Sequence, residues 1–526
     1  MTAGSTREFR TPRPTLVLLA ASTGCALTVL DTNVVAVVLP TIARDFGATF
    51  ADVEWVISTY VLCFASLLLP AGSIADRYGR RRVFLGGIGA FAISSWLCGA
   101  TPTATYLYLA RALQGVSAAF MLAPALAIIG HTFHSESERN RAWSIWGGIM
   151  GLTMVVSPII GGIIAYSLGW RWAFYINVPI CLGLGFAVVA LTGESRDDKA
   201  RRLDPLGIVT FTAAMFGVTW GLINGQAHGW TSSVAVAGFV GGAVALTAFL
   251  VAEKAQKRPM LDLRLFRNPR FVGGVWAMFA YAACAQVMAS MLPLYLQNGL
   301  GRTALEAGFS MLPFALAMLV FPNVGRILSR RLSSREILAI GLFVVGVGSL
   351  ITAWGANSGH WAPVMLGMMV LGSGGGLLNG ETQKAIMSVV PVERAGMASG
   401  ISTTSRFSGI LLGFAVLSGI LATAVRSNLV SVECGDRACP PEFAEAVVAG
   451  DLPSALAGLD IASQGSLLSR ALGAYSNGFS AALLTSGLVA IASAFVVLRL
   501  MRLTVQQSST RSGDHLSSTM FNERVD

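Results

Sequence analysis

Fourteen apolar segments of about twenty residues divide this chain of 526 residues, and each is long enough to cross a bilayer as one helix. The chain is 54% hydrophobic and only 12% charged, whereas soluble domains carry roughly 25% charged residues. We therefore predict an all-α integral membrane protein. The predicted spans are 15–39, 53–71, 83–100, 105–130, 141–165, 173–192, 205–224, 234–252, 272–297, 304–325, 336–354, 361–380, 396–424 and 477–501.

The basic residues predict the orientation of these helices. Consecutive spans cross the membrane in opposite directions, so the loops alternate between its two sides. On this basis, 29 of the 37 Lys and Arg fall in loops and tails on one side. Six fall on the other side, and two lie within helices. Cytoplasmic loops retain the positive charge. We expect a multi-pass protein of the cytoplasmic (inner) cell membrane with both termini in the cytoplasm. The net charge of +10 then reflects these basic loops, and no nucleic-acid partner is expected.

The short segment between the second and third spans, Gly72 to Arg82, reads G-S-I-A-D-R-Y-G-R-R-R. Gly72 and Gly79 permit a tight turn, the arginines hold the segment on the cytoplasmic side, and Asp76 is an ion-pair partner for them. The string resembles the G-x-x-x-D-R-x-G-R-R signature of the major facilitator superfamily of secondary transporters. A purely topological loop would account for the arginines but not for the glycines and the aspartate. The resemblance implies a conformational latch formed by Gly72, Asp76, Arg77, Gly79 and Arg80.

The second half of the chain carries a degenerate copy of this string, because Gly325-Arg326 is followed by Arg330, Arg331 and Arg335. Such repeats are expected where two six-helix bundles rock about a central site. We expect a cytoplasmic tail at 1–14, a six-helix bundle at 15–192, and two linker helices with their flanks at 193–271. A second six-helix bundle follows at 272–502, with an extracytoplasmic loop at 425–476, and a disordered cytoplasmic tail ends the chain at 503–526.

Ionisable residues within membrane spans are costly and are functional candidates for that reason. Asp31 lies about 12 Å below the outer edge of the first helix, and Arg111 about 9 Å below the same edge of the fourth, at 1.5 Å per residue. Their matching depth predicts that they interact. Either the pair is a permanent staple between two helices, or the carboxylate changes its protonation state during a cycle.

Two motifs favour the second alternative. Leu30-Asp31 through Leu39-Pro40 resembles the L-D-x-T-V-V-N-V-A-L-P stretch of fourteen-helix drug:proton antiporters, with Asn33 where that family has Thr. Arg111 and Gln114, followed by Gly115, resemble the R-x-x-Q-G motif that the superfamily ties to proton transfer. The resemblance implies that Asp31, Arg111 and Gln114 couple transport to protons.

The fifth helix matches the antiporter motif that ends G-P-x-x-G-G, with Ser157 in place of the first glycine. Small residues permit close helix approach and proline permits a bend; ordinary membrane packing would instead predict scattered glycines. Trp170 to Pro179 and Leu292 to Gln297 also resemble this branch. The matched positions of the fifth helix are Gly147, Gly151, Pro158, Gly161 and Gly162.

Five further polar residues are candidates for a substrate cavity, although packing or loop roles are equally consistent with their positions: Asn33, Tyr60, Gln286, Arg406 and Glu381. Cys434 and Cys439 lie in the acidic outer loop, where they form either a local disulfide or two free thiols. The chain has no Gly-Lys-Ser/Thr triplet, so nucleotide-driven pumping is unsupported. The five histidines fall outside the spans, so no metal site and no cofactor are expected.

These observations predict a transporter and not an enzyme. By resemblance, it exports amphipathic or cationic drugs, including antibiotics, in exchange for protons. Export of an endogenous metabolite or peptide product, or import of a nutrient, remains the alternative on the same fold. The expected partners are the lipid bilayer, a small-molecule substrate and protons; an outer-membrane or adaptor protein is not indicated. A membrane-embedded enzyme would need clustered acids and histidines, and a sensor would need an appended soluble domain.

Overall fold

The computed structural model describes residues 14–133, 136–196, 204–256, 263–390, 395–429, 441–450, 456 and 461–502. These residues form fourteen long helices, which we number α1 to α14, a short 3₁₀ helix at Leu263–Arg267, and a short loop helix at Pro441–Ala449. The long helices are Pro14–Phe46 (α1), Phe50–Tyr78 (α2), Arg80–Gly99 (α3), Ala104–Thr132 (α4), Glu136–Ser167 (α5), Trp172–Leu191 (α6), Pro205–His228 (α7), Ser233–Ala255 (α8), Pro269–Asn298 (α9), Ala304–Leu328 (α10), Ser334–Ser358 (α11), Trp361–Met387 (α12), Ala395–Leu429 (α13) and Ile461–Leu500 (α14).

Thirteen of these helices are long and apolar enough to cross a membrane, and α2 is a fourteenth when its two arms count as one span. The arms of α2 meet at a bend of 48° before Pro70, because proline removes a backbone donor from the helix. The α9 span contains a π-helical turn at Ala282–Gln286. The prediction of an all-α protein with fourteen spans is confirmed.

Several helices begin with a sequence signal that satisfies their free backbone donors. Thr49 before α2, Thr303 before α10 and Ser333 before α11 each form a capping box with the acidic residue three positions later. In each box the carboxylate accepts the backbone N–H of the capping residue. The hydroxyls of Thr49 and Thr303 also accept a backbone N–H that would otherwise lack a partner at the helix start, whereas the hydroxyl of Ser333 donates to Glu336. These signals define the loop ends of the helices.

The segment between α2 and α3 differs from the predicted loop. We expected Gly72 and Gly79 to share a turn, but Gly72 lies inside α2, which continues through Asp76 and Arg77 to Tyr78. Gly79 alone breaks the helix, with a φ of 111° that favours glycine. The expectation failed because polar residues can extend a helix beyond the lipid. We call the side that carries Gly79 the arginine side and the opposite side the far side.

The acidic loop also differs from its expected bounds. α13 continues to Leu429 and α14 begins at Ile461, so both helices enter the range 425–476, and the loop helix lies between them. Arg426 of α13 pairs with Glu445 of the loop helix, with Nε–Oε1 at 2.8 Å. Cys434 and Cys439 lie outside the described residues. Both helices are therefore longer than the apolar runs from which they were predicted.

The helices before and after the α7–α8 pair make contacts across the molecule. Nε2 of Gln297 in α9 donates to the carbonyl of Val37 in α1 at 2.8 Å. The hydroxyl of Ser418 in α13 donates to the carboxyl of Glu54 in α2. Both contacts lie in the halves of their helices that point to the far side, so the two six-helix groups meet there.

The α7–α8 pair packs through glycines. A Cβ on Gly217 would lie 2.6 Å from the backbone nitrogen of Gly242, so the two backbones are in close contact. On the other face, Trp220 of α7 packs against Trp55 of α2, with ring centroids 5.6 Å apart. The pair also contacts α13, and therefore lies beside the junction of the two six-helix groups.

Candidate functional site

The predicted pair of Asp31 and Arg111 forms the centre of a buried polar cluster. Oδ2 of Asp31 accepts a hydrogen bond from Nη1 of Arg111 at 2.5 Å. Oδ1 accepts from Nε2 of Gln114 at 2.8 Å and from Nδ2 of Asn177 at 3.0 Å. Asp31 and Arg111 are each 1% exposed, and Gln114 is fully buried. The depth argument therefore identified two helices that do bring their charges together.

The guanidinium of Arg111 is fixed on three sides. Its Nε donates to the carbonyl of Val56 in α2 at 3.2 Å, and its Nη1 also donates to Oε1 of Gln114 at 2.7 Å. The ring of Tyr60 lies 4.1 Å from its central carbon, in cation–π geometry. Tyr60, which we predicted for the substrate cavity, is thus part of the charged cluster. Asn33 is separate, because its amide donates to Val29 of its own helix.

Sequence reasoning missed two members of the cluster. Asn177 opens the main part of α6, and Ser95 lies in α3; Nδ2 of Asn177 donates to the hydroxyl of Ser95 at 2.9 Å. Asn177 stands in the Trp170–Pro179 stretch that we matched to the antiporter branch, so its signal was a polar residue at the start of a span. Ser95 carried no motif. Together they connect α1, α3, α4 and α6.

This arrangement is charge-balanced while Asp31 is ionised. A buried ion pair is stable only when further hydrogen bonds satisfy its remaining atoms, and Gln114, Asn177 and Tyr60 provide such contacts here. Protonation of the carboxylate would leave the Arg111 charge without its counter-ion in a dry site. Removal of the negative charge of Asp31 would therefore weaken the contact between Arg111 and α1.

The latch residues lie on the arginine side. Asp76 and Arg80 form an ion pair with Oδ1–Nε at 2.8 Å, while Arg77 is exposed. Glu194, which follows α6 and which the sequence analysis did not single out, accepts the backbone N–H of Arg81 at 3.0 Å. A Cβ on Gly79 would lie 2.6 Å from the same carboxylate. The latch is thus anchored to the end of α6.

The glycines of the α5 motif fall into two groups. A Cβ on Gly161 would lie 3.2 Å from the Cα of Val34 in α1, and one on Gly162 would lie 2.7 Å from the carbonyl oxygen of Ala304 in α10. Gly151 faces the flexible end of Leu319, and Gly147 has no neighbour within 4 Å. The motif's far-side end therefore holds α5 against both six-helix groups. Nearer the arginine side, a Cβ on Gly151 would meet chiefly a side chain of α10, and one on Gly147 would meet nothing within 4 Å.

Pro158 belongs to the packed group of this motif. It lies inside α5, and its carbonyl oxygen would be 2.5 Å from a Cβ on Gly308 of α10. A proline and a small residue thus meet across the junction of the two groups.

The remaining cavity candidates lie in the second half and do not form one cluster. Nε of Arg406 donates to Oε1 of Gln286 at 2.8 Å, which joins α13 to α9. Glu381 is located near the arginine-side end of α12, where Ser334 donates to it at 2.5 Å and Lys384 pairs with it at 3.2 Å. Glu381 therefore fastens α12 to α11 and lies apart from Arg406. Within the described residues, no three His, Cys, Asp or Glu side chains are grouped as metal ligands.

Comparison with known proteins shows the family of the chain. The Major Facilitator Superfamily matches residues 21–414. Multidrug resistance protein Stp of Mycobacterium tuberculosis (strain CDC 1551 / Oshkosh) is 33% identical over 415 residues, which cover 79% of this chain and 77% of the relative. The tetracenomycin C resistance and export protein of Streptomyces glaucescens is 31% identical over 505 residues, which cover 92% and 91%.

A solved structure shows the same fold. The bacterial homologue of the human lysosomal transporter Spinster, in an inward-facing and occupied conformation, aligns over 93% of this chain and 98% of its own, with a TM-score of 0.63 and 17% identity. At that identity the likeness concerns the fold alone. The extent of the family match and the identity to the two relatives show that the chain belongs to the Major Facilitator Superfamily, within its multidrug efflux family, and is a membrane transporter and not an enzyme.

Proposed function

We propose that this transporter exports amphipathic drugs and other toxic compounds in exchange for protons, by alternating access. The observation that carries the proposal is the buried cluster around Asp31. Its carboxylate has one cationic partner and two neutral donors, and the cluster connects four helices of one group. A coupling group must exchange its proton as the cavity changes sides, and a buried carboxylate that can lose its ion-pair partner meets that need.

The orientation supports an outward export path. The excess of basic residues in its loops supports a cytoplasmic location for the arginine side and an outer location for the far side. In the described conformation the two groups touch through Gln297, Glu54 and Ser418 on the far side. This arrangement is the one expected of a transporter that is closed to the outside. In the proposed cycle, Asp31 takes up a proton from outside only after the far side has opened.

The names of the relatives support the substrate class. One is called a multidrug resistance protein and another a tetracenomycin C resistance and export protein. We propose that this chain likewise exports amphipathic compounds. Export of cationic drugs remains an expectation from the resemblance. Export of an endogenous product or import of a nutrient would be supported instead if no foreign compound were expelled.

The test uses Asp31→Asn, which keeps the shape of the side chain and removes its titration. A panel of dyes and antibiotics in an efflux-deficient host first identifies an expelled compound. Reconstituted vesicles then report its uphill movement under a pH gradient and the accompanying proton flux. We expect the variant to lose pH-driven transport to the level of empty vesicles, while exchange down the compound's own gradient persists.

The matched control is Asp45→Asn, because Asp45 is half-exposed and pairs with Arg171 at the far-side surface. It should transport at the normal rate. If Asp31→Asn loses thermal stability but keeps proton-coupled transport per folded molecule, the ion pair is a structural staple and the coupling proposal is wrong. Glu381 would then be the next residue to test.

A further inference from the structure

Arg406 is a cation well inside a membrane span. It lies eleven residues after the start of α13, about 17 Å along the helix, and it is only partly buried. Its neighbour Ser405 donates to the carbonyl of Val275 in α9, and its neighbour Phe407 packs on Phe64 of α2, with ring centroids 4.3 Å apart. Intramembrane cations face the protein interior or a water-filled cavity. The exposed part of Arg406 therefore faces the space between the two six-helix groups.

The guanidinium of Arg406 uses only part of its hydrogen-bonding capacity. Within the described residues, its Nε donates to the neutral amide of Gln286, and no carboxylate forms an ion pair with the guanidinium. Arginine carries five N–H donors in a planar fork that matches a carboxylate. By contrast, Arg111 has Asp31 as its counter-ion. The second half of the transporter thus presents a positive charge that lacks a described counter-ion.

The amide that holds Arg406 is placed by an unusual backbone. Gln286 ends the π-helical turn of α9, and π-turns inside α-helices are frequent at functional sites. Gly409 and Gly413 of α13 pack directly on this turn: a Cβ on Gly409 would lie 2.6 Å from the carbonyl of Phe279, and one on Gly413 would lie 2.7 Å from the Cα of Ala283. Arg406 lies three residues before Gly409 and so shares that face. The site is therefore held at fixed geometry by backbone contact.

A third polar group points to a ligand at the same place. The hydroxyl of Tyr281, fully buried in α9, makes no hydrogen bond of normal geometry in the described structure, although it lies beside the Gln286 side chain and within electrostatic range of Arg406. A buried hydroxyl without a partner is costly. A ligand oxygen beside Arg406 would accept from it.

We propose that Arg406, Gln286 and Tyr281 bind the carboxylate of an amphipathic organic acid, so that the exported compounds include acids; this rests on the proposed function and narrows its substrate class. A cation would need a free acid, and the buried acids of the described spans are engaged. Asp31 is paired with Arg111, and Glu54 accepts from Ser418. The charge available to a substrate is positive.

The test compares 1-pyrenebutyrate, an amphipathic fluorescent carboxylate, with its methyl ester. Both are titrated onto the full-length protein in lipid nanodiscs, with empty nanodiscs subtracted. The wild type should prefer the acid. Arg406→Gln should weaken binding of the acid by about tenfold to a hundredfold, the worth of a charged hydrogen bond, and leave the ester unchanged. Arg406→Lys should be intermediate, because lysine keeps the charge and loses the fork.

Arg426→Gln is the matched control, because it removes a positive charge from the far-side end of the same helix. It should not change the preference. Tyr281→Phe breaks no hydrogen bond of normal geometry in the described structure. It should weaken binding of the acid by about twofold to tenfold and leave binding of the ester unchanged. If Arg406→Gln fails to fold, this variant tests the carboxylate site in its place. No preference for the acid, or an equal loss for acid and ester, overturns the site.

The two proposals fail separately. If pH-driven efflux is intact but the acid is not preferred, the carboxylate site is wrong and proton exchange stands. If the acid is preferred through Arg406 but Asp31→Asn keeps pH-driven efflux, proton exchange through Asp31 is wrong and the carboxylate site stands.

Discussion

Gly162 offers the sharpest test of how the α5 motif acts. In the closed far side, Gly162 touches the backbone of α10, and Gly162→Ala would place a Cβ 2.7 Å from the carbonyl oxygen of Ala304 and 2.9 Å from the Cα of Leu305. Ordinary carbon–carbon contacts begin near 3.5 Å, so α5 and α10 must separate by about 0.6 Å to relieve the contact with Leu305. Both neighbours are backbone atoms, and neither can rotate away.

The cost of such overpacking is about 1–3 kcal/mol. The strain exists only while the far side is closed, because opening separates α5 from α10. A differential of that size shifts a two-state equilibrium by about 5- to 150-fold. We therefore expect Gly162→Ala to favour the outward-open state and to slow net transport, with little change in expression or helix content.

Spin labels at Leu168 and Leu468 report this equilibrium, because both positions are exposed and lie towards the far side in different groups. Distance distributions from pulsed electron resonance should gain a longer component in the variant. Gly148→Ala is the control on the same helix, since a Cβ there meets nothing within 4 Å. Unchanged distances in Gly162→Ala, or equal changes in both variants, would refute the reasoning.

Three further predictions address other parts of the molecule. Asp76→Asn should slow transport in vesicles while lowering stability by less than about 1 kcal/mol, since the Asp76 pair is half-exposed; a normal rate would reduce the loop to a topological anchor. Cys434 and Cys439, if bridged, should appear in a non-reduced digest as one linked species lighter by two hydrogens, and alkylation of both without reductant excludes the bridge. Ser418→Ala should lower the thermal stability in detergent by about 1–3 kcal/mol, because the buried carboxyl of Glu54 loses its donor; an unchanged midpoint contradicts that role.

A matched variant accompanies the Ser418 prediction. Ser427→Ala removes an exposed hydroxyl that bonds only to Ala424 of its own helix. It should unfold at the wild-type temperature, which separates the contact between α2 and α13 from a general effect of serine removal.

The fold could be predicted from the sequence because lipid imposes a simple length rule. About twenty apolar residues form a span, and loops rich in basic residues follow every second span. The ends could not be predicted in the same way: α14 begins at Ile461, sixteen residues before the predicted 477. Beyond the membrane a helix ends for reasons of capping and contact, and hydrophobicity no longer marks the boundary.

The candidate site was predictable only where a motif and a depth coincided. Asp31 and Arg111 met both conditions. Glu54 met neither, because it lies at the start of a predicted span and its hydrogen-bond partner Ser418 is 364 residues away along the chain. The pairing of Arg406 with Gln286 likewise depends on the close packing of α13 on the π-turn of α9. Contacts of this range are set by tertiary packing, which a single sequence does not display.

The two charged sites share one structural neighbour, α2. On one face, the carbonyl of Val56 accepts from Arg111 of the Asp31 cluster. Further along, Phe64 packs on Phe407, the residue next to Arg406. A proton on Asp31 would weaken its ion pair with Arg111, and Arg111 is itself hydrogen-bonded to the backbone of α2. Coupling requires an element whose position both sites bias, and α2 contacts Arg111 of one site and the residue next to Arg406 of the other. Proton and substrate would then not compete for the same carboxylate, because the acid group of the substrate would bind Arg406 of α13 and the proton would bind Asp31 of α1.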